Sequence, residues 1–398
     1  MNVLVLAGDA DNNLGDRAIL QATCHELKSR LPDVQITLVS RSPDRAAQRY
    51  GAVALQTGLG GLAPLLRAAA RADLVLCGGG GLFQDDDSLI KMPYWAARLG
   101  MVRLFAPRIA ALALGVGPLR ALSSRIAARL AFALMGEVTV RDPLAGEVAQ
   151  ALTNKPVGVI GDPAFLLEPA PQHAARQRLA DEGVPLDGRV LIGVAPRRWF
   201  PSAYRVVPHR LARRLGRPDP QTSDEGERLC GQLAKLLDRQ VERHNAHIVF
   251  LPTYCIESEG DDRLSASILA RMKHPQGQIV RLDDPSLYQA VTGELSVLLG
   301  GRMHPAILAA SVNTPIVGLG YNPKFHGLFT LLGMPEQVHH VETFVREGRL
   351  DALESSLEVA LAGRRPEPGR VVAIKRHLQA FFDRQLGVAA AQQRVYAA

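Results

Sequence analysis

Arg302 and His304 lie two positions apart in the segment GGRMHPAILAA, after an apolar run that ends at Gly300 and before a helical pattern. A guanidinium can bind carboxylate or phosphate oxygens bidentately, and an imidazole can move a proton near neutral pH. Because Pro305 suits the first position of a helix, both residues are predicted in the turn between the strand and the helix. With the positive end of that helix, they form a predicted anion site, although His304 could instead simply cap the helix.

Two further cations follow apolar runs in the same way. Lys324 comes after the next run, in YNPKFHG, and Arg141 comes after an earlier run, in VRD. In parallel sheets, the residues just after the strands collect at one edge, where ligands bind. Considered alone, each residue has an ordinary explanation. Lys324 could be a solvated surface lysine, and Arg141 could form a local ion pair with the neighbouring Asp142. Together they predict an anion-binding site.

The elements that must position these residues are strands alternating with helical segments. This pattern is typical of parallel sheets built from βαβ units. A polar, proline-containing passage ending near residue 189 separates two strand sets, so the sequence predicts an α/β fold with two doubly wound, Rossmann-like domains facing a cleft. The predicted strands fall in 3–8, 36–40, 74–81, 109–118, 137–142 and 157–163, and then in 189–196, 247–254, 278–284, 295–301 and 314–321. The predicted domains are 1–170 and 188–340, with a helical tail, 341–398, that crosses back to the first domain.

Glycine-rich turns follow three of the predicted strands: NNLGD at 12–16, GGGG at 78–81 and GVGP at 115–118. Glycine allows close backbone approach, and a following helix offers N–H groups to an anion. None of the turns matches GxGxxG or GxxxxGK[ST], so neither a nicotinamide cofactor nor a P-loop nucleotide is predicted.

The amino-acid composition limits the kinds of ligand and surface that the protein is expected to bind. The 398 residues carry a net charge of +7, which favours anionic ligands, and no apolar run approaches the ~20 residues of a membrane-spanning helix. The first residues read as a strand and not as a secretion signal, so a cytoplasmic location is expected. The arginine-rich stretch 197–218 contains no carboxylate. It is either a solvated loop or a surface for an anionic acceptor or membrane; no motif indicates nucleic acid.

Taken in order, NLGDRAIL, GGGGLFQD, GVGP, VRD, GDPAFLL, GRMHPAILAA and YNPK make the chain resemble the polysaccharide pyruvyl transferases, from about residue 3 to about residue 330. The resemblance implies a GT-B-like architecture with an acceptor side in the first domain and a donor side in the second. It also implies transfer of the enolpyruvyl group of phosphoenolpyruvate to two hydroxyls of a sugar. The acceptor would be a free, polymeric or lipid-linked glycan, and the product a cyclic pyruvate ketal with release of phosphate.

The same resemblance implies roles for individual residues. Arg141, Arg302 and Lys324 would bind the donor phosphate and carboxylate, and His304 would be the catalytic acid. The acceptor would lie near the NNLGD turn, and its candidate binding residues are Asn13, Gly15, Asp16, Gly80 and Asp85. Phosphoenolpyruvate is then a co-substrate, and no other cofactor and no metal is expected, since no cluster with metal-ligand spacing is evident.

The sequence departs from the family pattern at a few positions, and it also fits two alternative functions. Arg17 stands where an acidic residue is common, and the first turn contains additional acids at Asp9 and Asp11. A nucleotide-sugar-dependent GT-B glycosyltransferase is the main alternative, and a non-catalytic scaffold of a glycan-assembly complex is another. The first alternative needs a ribose-binding carboxylate, for which the sequence offers Glu257, Glu259, Asp261 and Asp262.

Overall fold

A computed structural model describes residues 1–86, 88–198, 224–255 and 260–397, which form two compact units. Within the described residues, unit 1 comprises Met1–Leu166 together with the chain from Val372 onward. Unit 2 comprises the described residues between Leu167 and Val371.

Unit 1 contains a seven-stranded parallel sheet in the order β3-β2-β1-β4-β5-β6-β7. Its strands are β1 (Asn2–Leu6), β2 (Gln35–Ser40), β3 (Val53–Gln56), β4 (Leu74–Phe83), β5 (Ile109–Val116), β6 (Glu137–Val140) and β7 (Val157–Val159). Its helices are α1 (Leu14–Arg30), α2 (Pro43–Tyr50), α3 (Leu62–Arg71), α4 (Lys91–Arg103), α5 (Leu122–Ala133) and α6 (Pro143–Gln150).

The direction of chain travel assigns these helices to the two faces of the sheet. From β1 to β3 the chain moves one way across the sheet, and from β4 to β7 it moves the other way. Because crossovers between parallel strands are right-handed, α1 and α2 cover one face while α4, α5 and α6 cover the other. The order reverses between β1 and β4, which is where ligands bind in such sheets.

Apolar side chains from both sides of the sheet form the core of unit 1. Beneath α4 and α5 they include Trp95, Leu99 and Phe132, all buried. The last helix begins in unit 2 and continues into unit 1, where its Phe381 and Phe382 are fully buried.

Unit 2 contains a six-stranded parallel sheet in the order β10-β9-β8-β11-β12-β13. Its strands are β8 (Leu191–Ala195), β9 (His247–Phe250), β10 (Gly277–Ile279), β11 (Val297–Gly300), β12 (Ile316–Gly320) and β13 (Val338–His340). The remaining helices are α7 (Gln172–Asp181), α8 (Asp224–His244), α9 (Asp261–Leu269), α10 (Pro285–Thr292), α11 (Met303–Ser311), α12 (Pro323–Leu331), α13 (Val341–Glu347), α14 (Leu350–Leu361) and α15 (Pro368–Ala397). The strand order reverses between β8 and β11.

The predicted α/β class with two doubly wound parallel sheets is confirmed. Each predicted apolar run overlaps a strand, whereas β3 and β13 are absent from the sequence prediction. Both are short edge strands, and an edge strand lacks the continuous apolar run of a strand that is buried on both faces. No helix in the described part of the chain is both long enough and apolar enough to span a membrane.

Candidate active site

In unit 1, the loop after β1 carries the predicted acceptor residues. Asn13 caps α1 by accepting a hydrogen bond from Gly15 N at 3.0 Å. Asp16 does not cap the helix. Its Oδ2 accepts hydrogen bonds from Asp9 N at 3.0 Å and from Asn13 Nδ2 at 3.1 Å. Asn13, and not Asp16, is therefore the cap of α1.

Gly80 brings the end of β4 against this carboxylate. Its φ is +106°, which favours glycine, and a Cβ atom there would lie 2.9 Å from Asp16 Oδ1. Gly80 therefore allows the backbone of β4 to approach Asp16 closely. The structure thus brings Asn13, Gly15, Asp16 and Gly80 together at the reversal of strand order between β1 and β4.

The two departures from the family pattern hold this loop in place. Arg17 is 8% exposed and donates from Nε to Ala10 O at 3.1 Å and from Nη2 to Asp11 O at 2.9 Å. Asp11 accepts from Arg41 N at 2.7 Å and from Ser40 Oγ at 2.8 Å. These contacts join the loop after β1 to α1 and to the end of β2, so Arg17 and Asp11 have a structural role here.

Asp85 joins a different pair of loops. Its Oδ2 accepts hydrogen bonds from Arg120 N and Ala121 N, both at 2.8 Å, and the residue is 5% exposed. Ala121 is the residue directly before α5. The carboxylate therefore fixes the start of α5 beside the loop that follows β4, and its role in acceptor binding stays a prediction.

Arg141 directly follows β6 and is only 4% exposed. Its guanidinium lies 3.5 Å from Asp142 Oδ2 and 3.6 Å from Asp162 Oδ2. Asp142 also caps α6, since its Oδ1 accepts from Ala145 N at 2.9 Å. Gly115 makes room for the arginine, because a Cβ atom there would lie 2.9 Å from Arg141 Cζ. One buried cation thus meets two buried carboxylates.

In unit 2, Arg302 forms a bidentate pair with Asp261. Its Nε and Nη2 donate to Asp261 Oδ2 and Oδ1 at 2.6 and 2.7 Å. Asp261 is 0% exposed, and its Oδ2 also accepts from Tyr254 N at 3.0 Å and from Thr253 Oγ1 at 3.2 Å. The Arg302 guanidinium lies 5.4 Å from the centre of the Tyr254 ring. Asp261 therefore fixes the orientation of Arg302.

His304 and Lys324 occupy the first turns of neighbouring helices. α11 begins at Met303 with Arg302 as its N-cap, so His304 is the second helical residue. α12 begins at Pro323, and its cap Asn322 accepts from Lys324 N at 3.1 Å. The strands that precede these helices are paired, with Gly300 opposite Gly318. Two helix N-termini thus start side by side at the carboxyl edge of the sheet.

The prediction that Pro305 opens the helix is wrong, because Pro305 is the third residue of α11. The first four N–H groups of a helix have no acceptor within the helix, so proline is tolerated throughout the first turn. His304 therefore lies in the helix and not in the turn before it, and the helix cap is Arg302, not His304. The Nε2 atom of His304 has almost no exposed surface.

A cavity that is partly open to solvent lies at the same edge of unit 2, and the space within it, open solvent included, is about 370 Å³. Leu229 and Leu233 of α8 line one side of it, and Gly301 and Tyr321 line another. The Arg197 guanidinium lies 3.5 Å from the centre of the Tyr321 ring, which is a cation–π contact. An arginine, an aromatic ring and apolar side chains therefore border this cavity.

The sequence did not predict the carboxylates that lie beside the two arginines. Asp261 was a candidate ribose-binding carboxylate, but it is buried and binds Arg302. Asp262 lies 3.4 Å from Arg281. Asp162 was noted only within the motif GDPAFLL, and its approach to Arg141 has no local signal. Glu257, Glu259 and all of the stretch 197–218 except Arg197 and Arg198 lie outside the described residues.

Solved structures of other proteins share this fold. UDP-GlcNAc 2-epimerase from Methanocaldococcus jannaschii aligns with a TM-score of 0.58 and 11% identity, over 92% of this chain and 94% of that one. UDP-GlcNAc 2-epimerase from Neisseria meningitidis, bound to UDP-GlcNAc, aligns with a TM-score of 0.58 and 10% identity, over 96% and 100%. A glycosyltransferase from Rickettsia africae aligns with a TM-score of 0.57 and 8% identity, over 98% and 97%. These similarities show a GT-B-like fold.

The sequence identifies the family within this class. Residues 13–323 match the polysaccharide pyruvyl transferase family, and the chain belongs to that family. No curated protein matches the chain. Membership makes the protein a transferase and supports a general role in pyruvyl transfer to a glycan acceptor.

Proposed function

We propose that the protein transfers the enolpyruvyl group of phosphoenolpyruvate to two hydroxyls of a glycan sugar, forming a cyclic pyruvate ketal. The observation that carries this proposal is the grouping of Arg302, His304 and Lys324 at the adjacent N-termini of α11 and α12. Helix N-termini bind phosphates and carboxylates through backbone N–H groups and the helix dipole. Phosphoenolpyruvate carries both anions on three carbons, which suits a compact cationic site.

Charge balance at this edge of unit 2 favours the anionic donor. Asp261 pairs with Arg302, and Lys324 is a further cation in the first turn of α12, beside the two helix N-termini. The fixed Arg302 can therefore orient a donor oxygen, while Lys324 supplies attraction for the phosphate. Preorganised groups of this kind stabilise the charge that grows on a leaving phosphate.

His304 acts as the general acid in the proposed reaction. Its imidazolium gives a proton to the methylene carbon of the donor, which becomes the methyl group, and the first sugar oxygen bonds to the carbon that bears the phosphate. The bond from this carbon to the phosphate oxygen then breaks. The second sugar oxygen bonds to the same carbon and closes the ketal. Of the two hydroxyl protons, one restores His304 and one leaves on the phosphate, so the products are the ketal and inorganic phosphate.

The acceptor assignment concerns unit 1. We propose that Asp16, held by Asp9 N and Asn13 Nδ2, orients a sugar hydroxyl beside Gly80. Gly15 and Asn13 shape the first turn of α1 next to it, and Asp85 holds the neighbouring loop. The assignment of Arg141 to the donor stays a prediction. A cytoplasmic location and association with an anionic membrane surface are also part of the proposal.

Phosphate release from phosphoenolpyruvate, measured against a panel of acceptor glycans, tests this function. We expect release only when phosphoenolpyruvate and a suitable acceptor are both present, and its loss in Lys324→Met. The matched control is Lys273→Met, which removes an exposed lysine of unit 2. Thermal stabilisation by UDP-GlcNAc but not by phosphoenolpyruvate would favour a nucleotide-sugar enzyme instead, since a ligand at ~100 times its dissociation constant adds about 2.7 kcal/mol of stability.

A further inference from the structure

Large apolar side chains are exposed on α4 and α5 of unit 1 and directly before and after α4. Ten large apolar side chains are exposed among the described residues, and seven of them lie within 88–136. These seven are Ile90, Tyr94, Leu104, Phe105, Leu122, Ile126 and Leu130. Single exposed apolar residues are common, but a concentration of them marks a surface that binds a partner or a membrane.

These side chains belong to one layer of the molecule. On α5, Leu122, Ile126 and Leu130 follow at intervals of four residues and are 73%, 50% and 60% exposed, so they form a stripe along one face. The strands β4, β5 and β6 are neighbours in sequence order, so right-handed crossovers put α4 and α5 side by side on one face of the sheet. The two helices contact each other. We call their exposed sides the α4–α5 surface.

The α4–α5 surface carries positive charge only. Residues 88–136 contain seven lysines and arginines and no aspartate or glutamate. Arg125 and Arg129 are exposed on α5 beside the apolar stripe, and neither has a carboxylate partner among the described residues. On α4, Arg98 lies over the rings of Tyr94 and Trp95, at 5.9 and 5.5 Å from their centres. Apolar and cationic side chains therefore alternate on one surface.

We propose that the α4–α5 surface docks on an anionic lipid bilayer, with α4 and α5 lying along the membrane plane. Apolar residues bordered by lysine and arginine are the pattern of helices that lie in the membrane interface. Anionic headgroups would supply the negative charge that this surface lacks. A second copy of the chain is a poor occupant, because a two-fold dimer would bring the same cations of both copies together.

The surface also adjoins the proposed acceptor loop. Asp85, in the loop after β4, binds Arg120 N and Ala121 N, and α5 starts at the next residue, Leu122. A bilayer against Leu122 would lie beside that loop. This geometry suits an acceptor glycan carried on a membrane lipid, an inference that rests on the proposed function.

Cosedimentation of the full chain with lipid vesicles tests the proposal. We expect binding to phosphatidylcholine vesicles that contain about 30% phosphatidylglycerol, little binding to pure phosphatidylcholine, and weaker binding as salt increases. Arg125→Gln with Arg129→Gln should lower binding to the anionic vesicles about 25-fold, from roughly fivefold per arginine. Leu122→Gln with Ile126→Gln should lower it at least about tenfold. The control with the same charge change is Arg45→Gln with Arg49→Gln, on α2 at the opposite face, and it should keep most of the binding.

Three results would overturn the proposal. The first is equal binding of the wild type to neutral and to anionic vesicles. The second is unchanged vesicle binding in both α5 variants. The third is a wild type that does not bind vesicles but self-associates, where Leu122→Gln with Ile126→Gln abolishes the self-association. A variant with a lowered melting temperature is replaced by Leu122→Gln alone. Phosphate release with a free acceptor, measured without vesicles, should be unchanged in the α5 variants. Absence of that release in the wild type would reject the proposed function and leave the vesicle result standing.

Discussion

Arg141 in unit 1 and Arg302 in unit 2 each lie just after a parallel strand, β6 and β11 respectively, but their counterions differ. Arg302 forms two short hydrogen bonds with one fixed carboxylate, Asp261, at 2.6 and 2.7 Å. Arg141 lies between Asp142 and Asp162 at 3.5 and 3.6 Å. The formal charge is zero for the Arg302 pair and −1 for the Arg141 group. The same residue type after a strand therefore forms a bidentate pair with a carboxylate in one unit and meets two more distant carboxylates in the other.

The largest expected effect concerns His304, the proposed proton donor, which lies two residues after Arg302. His304→Gln should lower kcat about 10²- to 10⁴-fold, because general acid catalysis contributes that much. Phosphoenolpyruvate affinity should fall only slightly, since the proton is needed in the transition state. Steady-state kinetics and calorimetry on the same variant measure both quantities, and His173→Gln, on exposed α7, is the control. A wild-type kcat would remove His304 from the mechanism.

The next largest effect is a loss of protein stability when the carboxylate beside Arg302 is neutralised. Asp261→Asn should lower the free energy of unfolding by about 3–5 kcal/mol, the usual cost of removing one partner of a buried ion pair. The variant also weakens the hydrogen bonds that Asp261 accepts from Thr253 and Tyr254. Urea unfolding followed by circular dichroism measures the change. A loss below about 1 kcal/mol would show that the pair is no stronger than an exposed one.

Asp162→Asn is the matched change in unit 1, and we expect a smaller loss of about 1–3 kcal/mol. Arg141 keeps Asp142 as a counterion in this variant, and its contact with Asp162 is longer than a hydrogen bond. The same urea experiment applies. If Asp162→Asn destabilised the protein more than Asp261→Asn, the contrast between the two arginines would be wrong.

The smallest effect is a pH dependence confined to unit 2. Burial lowers the pKa of His326 and that of His339, in each case assisted by a neighbouring histidine. Below the ordinary histidine pKa of about 6.5, the unfolded chain binds protons that the folded chain does not, so stability is lost as the pH falls from 7.5 to about 5.5. His326→Gln with His339→Gln should flatten this dependence in urea unfolding. An unchanged slope would assign the pH dependence to other groups.

The sequence predicted which residues follow the strands, because a parallel α/β pattern determines where strand ends lie. Arg302, His304 and Lys324 were located in this way, although the helix starts before Pro305. Asp261 precedes Arg302 by 41 residues, and no local pattern records a pair at that separation. Asp261 stood out in the sequence only because it lies in an acidic segment, and that segment suggested a ribose-binding site instead of a partner for Arg302.

The exposed apolar stripe on α5 is likewise only partly predictable from the sequence. The absence of carboxylates in residues 88–136 is visible in the sequence, but the sequence does not show that Leu122, Ile126 and Leu130 face solvent. An apolar stripe on a crossover helix normally faces the sheet. Here small residues such as Ala127 and Ala131 are on the buried side, so the larger ones project outward.

Calorimetric titration with phosphoenolpyruvate tests the central claim, that the donor binds at the N-termini of α11 and α12, most directly. Lys324→Met should weaken binding by about 2–4 kcal/mol, because a charged donor oxygen loses its partner in a partly desolvated site. Arg141→Gln should weaken it much less, given the two carboxylates beside that arginine, and the control Lys273→Met should not change it. Unchanged affinity in Lys324→Met, or a larger loss in Arg141→Gln, would contradict the account.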